Sequence, residues 1–269
     1  MLSDVLPYLL LPVVGFAAGF VDAIAGGGGL LTVPVLASFT PDMRLVLGTN
    51  KGQAVFGSFT SLLSFVRAGK VHRARAVPTF FAALAGAVGG VELVMRIPSS
   101  ALRPIVLVLL VSVAVFFLVR KKRPPQSQVV GEPPAPKPQG GLAIVRAHPV
   151  AFAVLVGGAL GFYDGFFGPG TGTFLIALHT ALFGDDLTEA SANAKVANFA
   201  SNLAAVTVFA LAGQIRFAWA LPMAAMQILG GYAGTRAAIK GGEKVVRTGV
   251  LAVTVALVVR LAWQMVSAS

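Results

Sequence analysis

Lys51 and Lys195 each stand at the start of an apolar run, one within Gly48-Thr49-Asn50-Lys51-Gly52-Gln53 and the other within Ser191-Ala192-Asn193-Ala194-Lys195-Val196. Asn198, Ser201 and Asn202 follow Lys195 by three, six and seven residues, which places them on one helical face. Gln53, Ser58 and Ser61 give Lys51 a looser version of the same face. Two cations among amide and hydroxyl donors suit a compact oxyanion. A lone lysine at the edge of an apolar run snorkels its ammonium into the interface. The binding reading therefore rests on there being two, at equivalent places.

Glycine-rich stretches occupy a second pair of equivalent places. Gly26, Gly27, Gly28 and Gly29 form one, and Gly168-Pro169-Gly170-Thr171-Gly172 forms the other. Each lies between a long apolar run and a short one. Such a stretch brings backbone N–H groups close to a ligand, and a helix starting just beyond it points its positive end there. The plainer reading is a tight turn with close helix packing. The adjacent hydroxyls of Thr32, Thr171 and Thr173 favour binding. No Gly-Lys-Ser/Thr follows either stretch and neither fits G-x-G-x-x-G, so nucleotide binding has little support.

Asp22 and Asp164 are the acids set deep in long apolar runs. Burying a carboxylate is costly unless it is protonated or paired. Two readings stand side by side. One is a proton or sodium coupling site, or a gate that pairs with a lysine. The other is an N-cap for the short helix that follows, or a hydrogen bond between the halves of the chain. A charged, unpaired carboxylate would repel a bound dianion, so neither aspartate is expected to ligate the anion directly.

The elements that position these residues follow from composition. Of 269 residues, 56% are hydrophobic and 12% charged, half the charge of an ordinary soluble domain, and the mean hydropathy is +0.83. So little polar surface cannot face water. With no cysteine, a disulfide scaffold, thiol catalysis and cysteine-ligated metals are excluded. The fold class expected is an all-α polytopic membrane protein. The net charge of +11 does not indicate nucleic acid, because the cations mark the loops between apolar runs, as in Arg67, Lys70, Arg73 and Arg75. That is the placement of cytoplasmic loops. The N-terminus lacks the basic region of a cleavable signal peptide, so the first run is read as a retained helix.

Ten apolar runs are legible: 5–25, 29–40, 50–66, 77–95, 101–119, 149–168, 171–183, 191–212, 217–237 and 246–266. Eight come near the ~20 residues that span a bilayer. The runs 29–40 and 171–183 are shorter and read as broken or half helices, whether crossing or re-entrant. Between the halves lies a Pro-rich basic stretch, taken as a cytoplasmic linker over 120–147, leaving membrane repeats at 1–119 and 148–269. Gly19-Phe20-Val21-Asp22 recurs 142 residues on as Gly161-Phe162-Tyr163-Asp164, and at an offset of 144 Lys51 meets Lys195 and Pro78 meets Pro222. Five runs per half, and a basic loop at Arg67–Arg75 whose counterpart holds only Arg216, predict halves inverted in the membrane. Inverted repeats point to a secondary transporter with its site at the midplane.

The remaining features read as structural. Gly-x-x-x-Gly at 15/19, 86/90, 157/161 and 230/234 predicts close helix contacts. Glu92 and Arg96 form an i,i+4 pair. His72, His148 and His179 are scattered, which speaks against a metal centre, and no Ser/His/Asp grouping suggests an enzyme. No cofactor is expected.

Gly19-Phe-Val-Asp22-Ala-Ile-Ala-Gly26-Gly-Gly-Gly29, Gly48-Thr49-Asn50-Lys51, Gly161-Phe162-Tyr-Asp164-Gly165-Phe-Phe-Gly168-Pro169-Gly170-Thr171-Gly172 and Ala192-Asn-Ala-Lys195-Val-Ala-Asn198 together resemble the sulfite exporter TauE/SafE family, also called the toluene sulfonate uptake permease family. The resemblance covers both repeats. It implies an inner-membrane carrier of sulfite or of organosulfonates such as sulfoacetate, commonly an exporter. The expected substrate shell is Gly26, Gly27, Gly28, Gly29, Asn50, Lys51, Gln53, Gly168, Gly170, Thr171, Gly172, Lys195, Asn198 and Asn202, with Asp22 and Asp164 in coupling or gating to protons or sodium. The expected partners are the bilayer and a small anion, with no nucleic acid. A cation carrier built on Asp22 and Asp164, a passive anion channel, and a membrane scaffold or sensor acting through the basic linker remain the alternatives.

Overall fold

A computed structural model describes residues 2–119 and 143–267, and every regular element in it is helical. In chain order these are α1 (Leu2–Ala25), α2 (Gly28–Phe39), α3 (Met43–Arg67), α4 (Arg73–Arg96), α5 (Ser99–Val119), α6 (Ala143–Ala147), α7 (Pro149–Phe166), α8 (Thr171–Leu178), α9 (Leu187–Leu211) and α10 (Phe217–Ser267). A π-helical turn, His179–Phe183, extends α8. Most of the linker, residues 120–142, lies outside the described residues.

Val5–Ala25, α4, α7 and α9 are each long and apolar enough to cross a bilayer. Their outer surfaces are apolar: Leu9 is 68% exposed, and Phe81, Leu155 and Val13 are almost as open. Polar side chains occupy the interior instead, among them Asn50, Lys51, Gln53, Ser58, Lys195, Asn198 and Ser201. This inside-out distribution is that of a chain whose solvent is lipid. It makes the protein a multi-pass membrane protein. The two short helices behave differently, because α2 has 12 residues, about 18 Å of helix at 1.5 Å per residue, against a hydrocarbon core of about 30 Å.

The helices that carry the two lysines, α3 and α9, form the polar centre. Both are started by an aspartate N-cap at matching positions. Asp42 accepts from the N–H groups of Arg44 and Leu45, and Asp186 from those of Thr188 and Glu189. At α9 the Glu189 carboxylate reaches back to complete a capping box, which satisfies two otherwise orphaned N–H groups.

Around this centre α1 packs on α10 and α4 on α7. The Gly-x-x-x-Gly pairs lie in those two seams. A Cβ on Gly15 or Gly19 would fall 2.6 or 2.5 Å from the carbonyl oxygens of Met223 or Gln227, and one on Gly230 or Gly234 would meet those of Phe16 or Phe20. In the other seam Gly86 faces Gly158, Gly90 faces Phe162, and Gly161 faces Ala83. The expected packing role is therefore realised. The α3 and α10 helices also lie together: the N–H of Arg216 donates to Thr49 Oγ1 at 3.0 Å, Gly52 abuts Ala220, Gly57 abuts Gln227, and Gly231 abuts Ser61. Both numbers rise together, so the two helices run parallel. Contacts recur between the halves with the roles exchanged. The N–H of His72 donates to Asn193 Oδ1 at 2.9 Å, the counterpart of the Arg216–Thr49 bond.

One expectation changes. The runs 217–237 and 246–266 are not separate helices: the basic stretch between them is helical, and α10 is continuous for 51 residues. Beyond Pro222 no proline follows, and the lysines, arginines and glutamate there are good helix formers that carry the helix through Gly241 and Gly242. The Glu92–Arg96 pair is present at 3.3 Å on an exposed surface.

Candidate functional site

The two glycine stretches end helices α1 and α7 and meet one another. Gly26 and Gly168 have φ of +70° and +93°, the left-handed region that side chains other than hydrogen resist. A Cβ on Gly26 would lie 2.3 Å from Cα of Gly172, so the two breaks touch backbone to backbone. Carbonyls at the end of α1 accept hydrogen bonds from the other half, that of Asp22 in addition to its bond from the Gly26 N–H. Thr173 Oγ1 donates to Ala25 O at 2.7 Å, Ser191 Oγ to Ile24 O at 3.4 Å, and Lys195 Nζ to Asp22 O at 2.5 Å.

Beside this crossing lies a polar cavity bordered by Asp22, Asn50, Lys51, Gln53, Asp164, Asn198, Asn202 and Gln227, with the backbone of Gly26, Gly28, Gly29, Gly168, Thr171 and Gly172. The centre of a water molecule is free to move through about 30 Å³ of it, enough for a few waters or one small oxyanion. The first residues of α2 and α8 both border it, so two helix N-termini contribute partial positive charge.

Each lysine is paired with the aspartate of the opposite half. Lys51 Nζ lies 2.9 Å from Asp164 Oδ1, and Lys195 Nζ lies 2.7 Å from Asp22 Oδ2. Neither aspartate is the N-cap of a short helix; Gly27 and Gly170 occupy those places. Of the readings open in the sequence, the pairing between halves is the one the geometry contains. Lys51 also donates to Asn202 Oδ1 at 3.0 Å, and Ser201 Oγ donates to Asp164 Oδ2. Thr32 Oγ1 and Gln53 Nε2 both donate to Asn50 Oδ1, at 2.5 and 3.1 Å.

The two lysines are equivalent in sequence and not in place. Lys51 borders the cavity. Lys195 is fully buried, holds both the carboxylate and the carbonyl of Asp22, and does not border it. Gly27 and Gly170 are likewise set back. The other expected substrate residues do border it, and so do two that the sequence reading passed over, Ala54 and Gln227. Gln227 carried a usable signal: it is an amide inside the apolar run 217–237, and polar groups at that depth turn inward.

Gly26→Ala is expected to be severely damaging, because it combines a left-handed φ with a backbone clash that no rotamer relieves. Gly158→Ala is the control, since its Cβ would stay 3.8 Å from the nearest atom, Ala82 O. The yield of monodisperse protein in detergent should collapse for the first and hold for the second.

A second charged cluster sits at the loop before α9. Arg75 Nη2 donates to Asp185 Oδ1 at 2.7 Å and its guanidinium stacks 4.4 Å over the Phe183 ring. His72 Nε2 and His179 Nδ1 lie 3.8 and 3.3 Å from the same carboxylate, and Asn193 Nδ2 donates to it at 2.9 Å. The histidines expected to be scattered thus converge in part. His72, Asp185 and Glu189 bring ligand atoms within 4.8 Å of one another, but Arg75 already occupies the carboxylate with a positive charge, and Glu189 is engaged in its capping box. Burial alone would raise the Asp185 carboxyl, yet His179 and Arg75 outweigh it and hold it down at about 2. A carboxyl depressed in the folded state stabilises the fold above its unfolded value of about 3.9 and ceases to do so as pH falls through the folded one. The thermal midpoint should drop between about pH 4 and about 2, and Asp185→Asn should flatten that drop.

The sequence model of the family described as Sulfite exporter TauE/SafE matches residues 11–261. A probable membrane transporter protein, ORF9, of a Sinorhizobium species is 35% identical over 250 residues, covering 93% of this chain and 90% of that protein. The probable membrane transporter protein YfcA of Escherichia coli is 33% identical over 248 residues, 92% of this chain and 87% of its own. A probable membrane transporter protein of Haemophilus influenzae is 35% identical over 234 residues, 87% and 86% of the two chains. No solved structure gives a significant match.

Proposed function

We propose that this chain, which belongs to the sulfite exporter TauE/SafE family, carries sulfite or a small organosulfonate such as sulfoacetate out across the inner membrane by alternating access. The observation that carries the proposal is the cavity where the two halves meet. It offers a lysine, five amides and two helix N-termini, and little apolar surface. An oxyanion there takes hydrogen bonds from Lys51, Asn198 and Asn202 and from the N–H groups at the starts of α2 and α8, the kind of donor set that binds anions elsewhere.

The Lys51–Asp164 pair makes the site conditional. A buried ammonium held by a carboxylate has no net charge to offer an anion. Protonation of Asp164, or its withdrawal with the opposite half, releases Lys51 for the substrate. Asp164 thereby couples anion binding to a proton or to the rocking of one half against the other. Asp22, paired with the deeply buried Lys195, ties the end of α1 to α9 and moves with it. Lys51 and Lys195 therefore divide the roles that sequence symmetry assigns to both: one binds and the other fastens.

The arrangement of helices supports halves that are inverted in the membrane. Helix α3 runs parallel to α10, and α9 turns back into α10 through the short connection at Gly213, whose φ is +67°. The equivalent helices α3 and α9 then run in opposite directions, as alternating access by inverted repeats requires.

A cation carrier using Asp22 and Asp164 would need carboxylates free to coordinate, and both are engaged by lysines. Counterflow of labelled sulfite into proteoliposomes tests the proposal, with sulfite, sulfoacetate, thiosulfate or sulfate trapped inside separate batches. Accumulation driven by some internal anions and not others is expected. Conduction far above carrier turnover without counterflow would indicate a channel, and no flux from folded protein in any batch would reject the anion reading.

A further inference from the structure

The two equivalent helix seams differ in chemistry. Positions 61 on α3 and 227, 231 and 235 on α10 are Ser61, Gln227, Gly231 and Thr235; 144 residues away in the other half stand Ala205, Ala83, Ala87 and Val91. The α4–α9 seam is apolar and closed, with Ala83, Ala87, Val91 and Ala205 all fully buried. In the α3–α10 seam Ser61, Gln227 and Thr235 are equally buried, but Ser61 Oγ, Gln227 Oε1 and Thr235 Oγ1 have no hydrogen-bond partner among the described residues.

Self-satisfaction on the helix does not account for them. Elsewhere in this protein helical hydroxyls bond the carbonyl one turn back: Thr60 to Phe56, Ser64 to Thr60, Ser112 to Val108 and Thr207 to Leu203. Ser61 and Thr235 do not, although that bond is available to any serine or threonine in a helix. Three unpaired polar atoms in one seam are also more than a buried interface tolerates, since each carries its own desolvation cost.

Their spacing fits bridging water. Gln227, at the cavity, Gly231 and Thr235 are four residues apart, which stacks them on one face about 6 Å apart along the axis. Ser61 Oγ comes in at the middle level, 3.2 Å from where a Cβ on Gly231 would be. A gap of about 6 Å is the span of one water making two hydrogen bonds of about 2.8 Å. Beyond Thr235 the buried cluster of Ile24, Phe65, Ala192 and Ala238 closes the seam, short of the end of the bundle that bears Arg67, Lys70 and Arg73.

We propose that the α3–α10 seam holds a file of water that extends the cavity toward the basic-loop end and is the path by which a proton reaches or leaves the aspartates of the site, Asp164 and Asp22. Each hop breaks one O–H bond as the next forms, from water to the hydroxyl of Thr235 or Ser61 and on to water at Gln227, so one proton enters for each that leaves. Gln227 holds the last water by its carbonyl oxygen. The Phe65 cluster interrupts the file in this state. The water file stands on the seam itself, and its use by protons rests on the anion-carrier reading above.

The absence of native cysteine makes the test clean. Ser61→Cys and Thr235→Cys, with Ala205→Cys and Val91→Cys as their counterparts in the dry seam, are made singly in the full chain and followed by the infrared S–H stretch on transfer to D2O. Exchange to S–D at 61 and 235, with 205 and 91 remaining protonated, is the expected result. Equal behaviour of the two sets overturns the proposal. If Thr235→Cys fails to fold, Thr235→Ser with Ser61→Cys retains the comparison. For the proton, Ser61→Ala combined with Thr235→Val should keep counterflow while abolishing the internal pH change that accompanies net sulfoacetate or sulfite uptake. Unchanged proton movement, or loss of counterflow along with it, overturns the proton role. Native protein that exchanges at Ser61→Cys yet shows no counterflow would defeat the anion reading and uphold the water file.

Discussion

Lys51→Met should reduce oxyanion counterflow by about two to three orders of magnitude, because it removes the one cation that borders the cavity. Truncating one partner of a buried, hydrogen-bonded charge pair between protein and ligand costs about 2–5 kcal/mol of binding, and each 1.4 kcal/mol is tenfold in affinity. Part of that loss comes from Asp164, left charged and unpaired beside Ser201. The double variant Lys51→Met/Asp164→Asn separates the two effects. It removes the orphan carboxylate, so its thermal stability in detergent should return toward the native value, while its counterflow stays lost. Arginine does not rescue position 51: the side chain is 3% exposed and the larger fork of guanidinium donors does not fit around one aspartate and one asparagine oxygen without displacing Asn202.

Lys195→Met is expected to fail differently, by unfolding. Its ammonium donates to a carboxylate and a carbonyl at the end of α1, within the stretch where Ser191 and Thr173 donate to the carbonyls of Ile24 and Ala25. Without it, the Asp22 carboxylate loses its cation and the Asp22 carbonyl keeps only the Gly26 N–H, and a loss of about 3–5 kcal/mol is a large fraction of the 5–15 kcal/mol that holds a domain folded. The thermal midpoint of purified protein should fall steeply, with Asp22→Asn in the same chain recovering part of it. Equal stability of Lys51→Met and Lys195→Met would contradict the division of roles. So would a Lys195→Met protein that folds normally and loses only transport.

Much of the site is legible in the sequence because the duplication makes two weak signals check one another. One lysine at the edge of an apolar run says little, but Lys51 and Lys195 in register, each with an amide nearby and a glycine break upstream, identify both polar helices. The Gly-x-x-x-Gly pairs were legible for a similar reason: small residues four apart in an apolar helix have few uses besides close packing. What could not be read is whatever depends on the partner across the halves. Sequence symmetry matches Asp22 with Asp164 and Lys51 with Lys195, whereas the contacts join Lys51 to Asp164 and Lys195 to Asp22, and nothing local to either residue says so. The same holds for Arg75 and Asp185, which are 110 residues apart and look like an ordinary loop cation and loop acid. Gln227 was missed because its counterpart is Ala83, and a search built on recurrence passes over positions where the halves differ. Those positions distinguish the two seams. The runs 217–237 and 246–266 read as separate because clustered charge around Gly241-Gly242 reads as a loop, although the lysines, arginines and glutamate there favour helix.

The anion and cation readings of the central cavity make opposite demands on Lys51 and Asp164, and equilibrium binding of sulfite to Lys51→Met and Asp164→Asn protein, titrated calorimetrically in detergent, separates them. On the anion reading, Lys51→Met does not bind. On that reading Asp164→Asn, with its lysine released from competition, binds at least as tightly as the native protein. Sulfite binding that survives Lys51→Met and disappears with Asp164→Asn would contradict it, and would return the aspartates to the centre of the site as ligands of a cation.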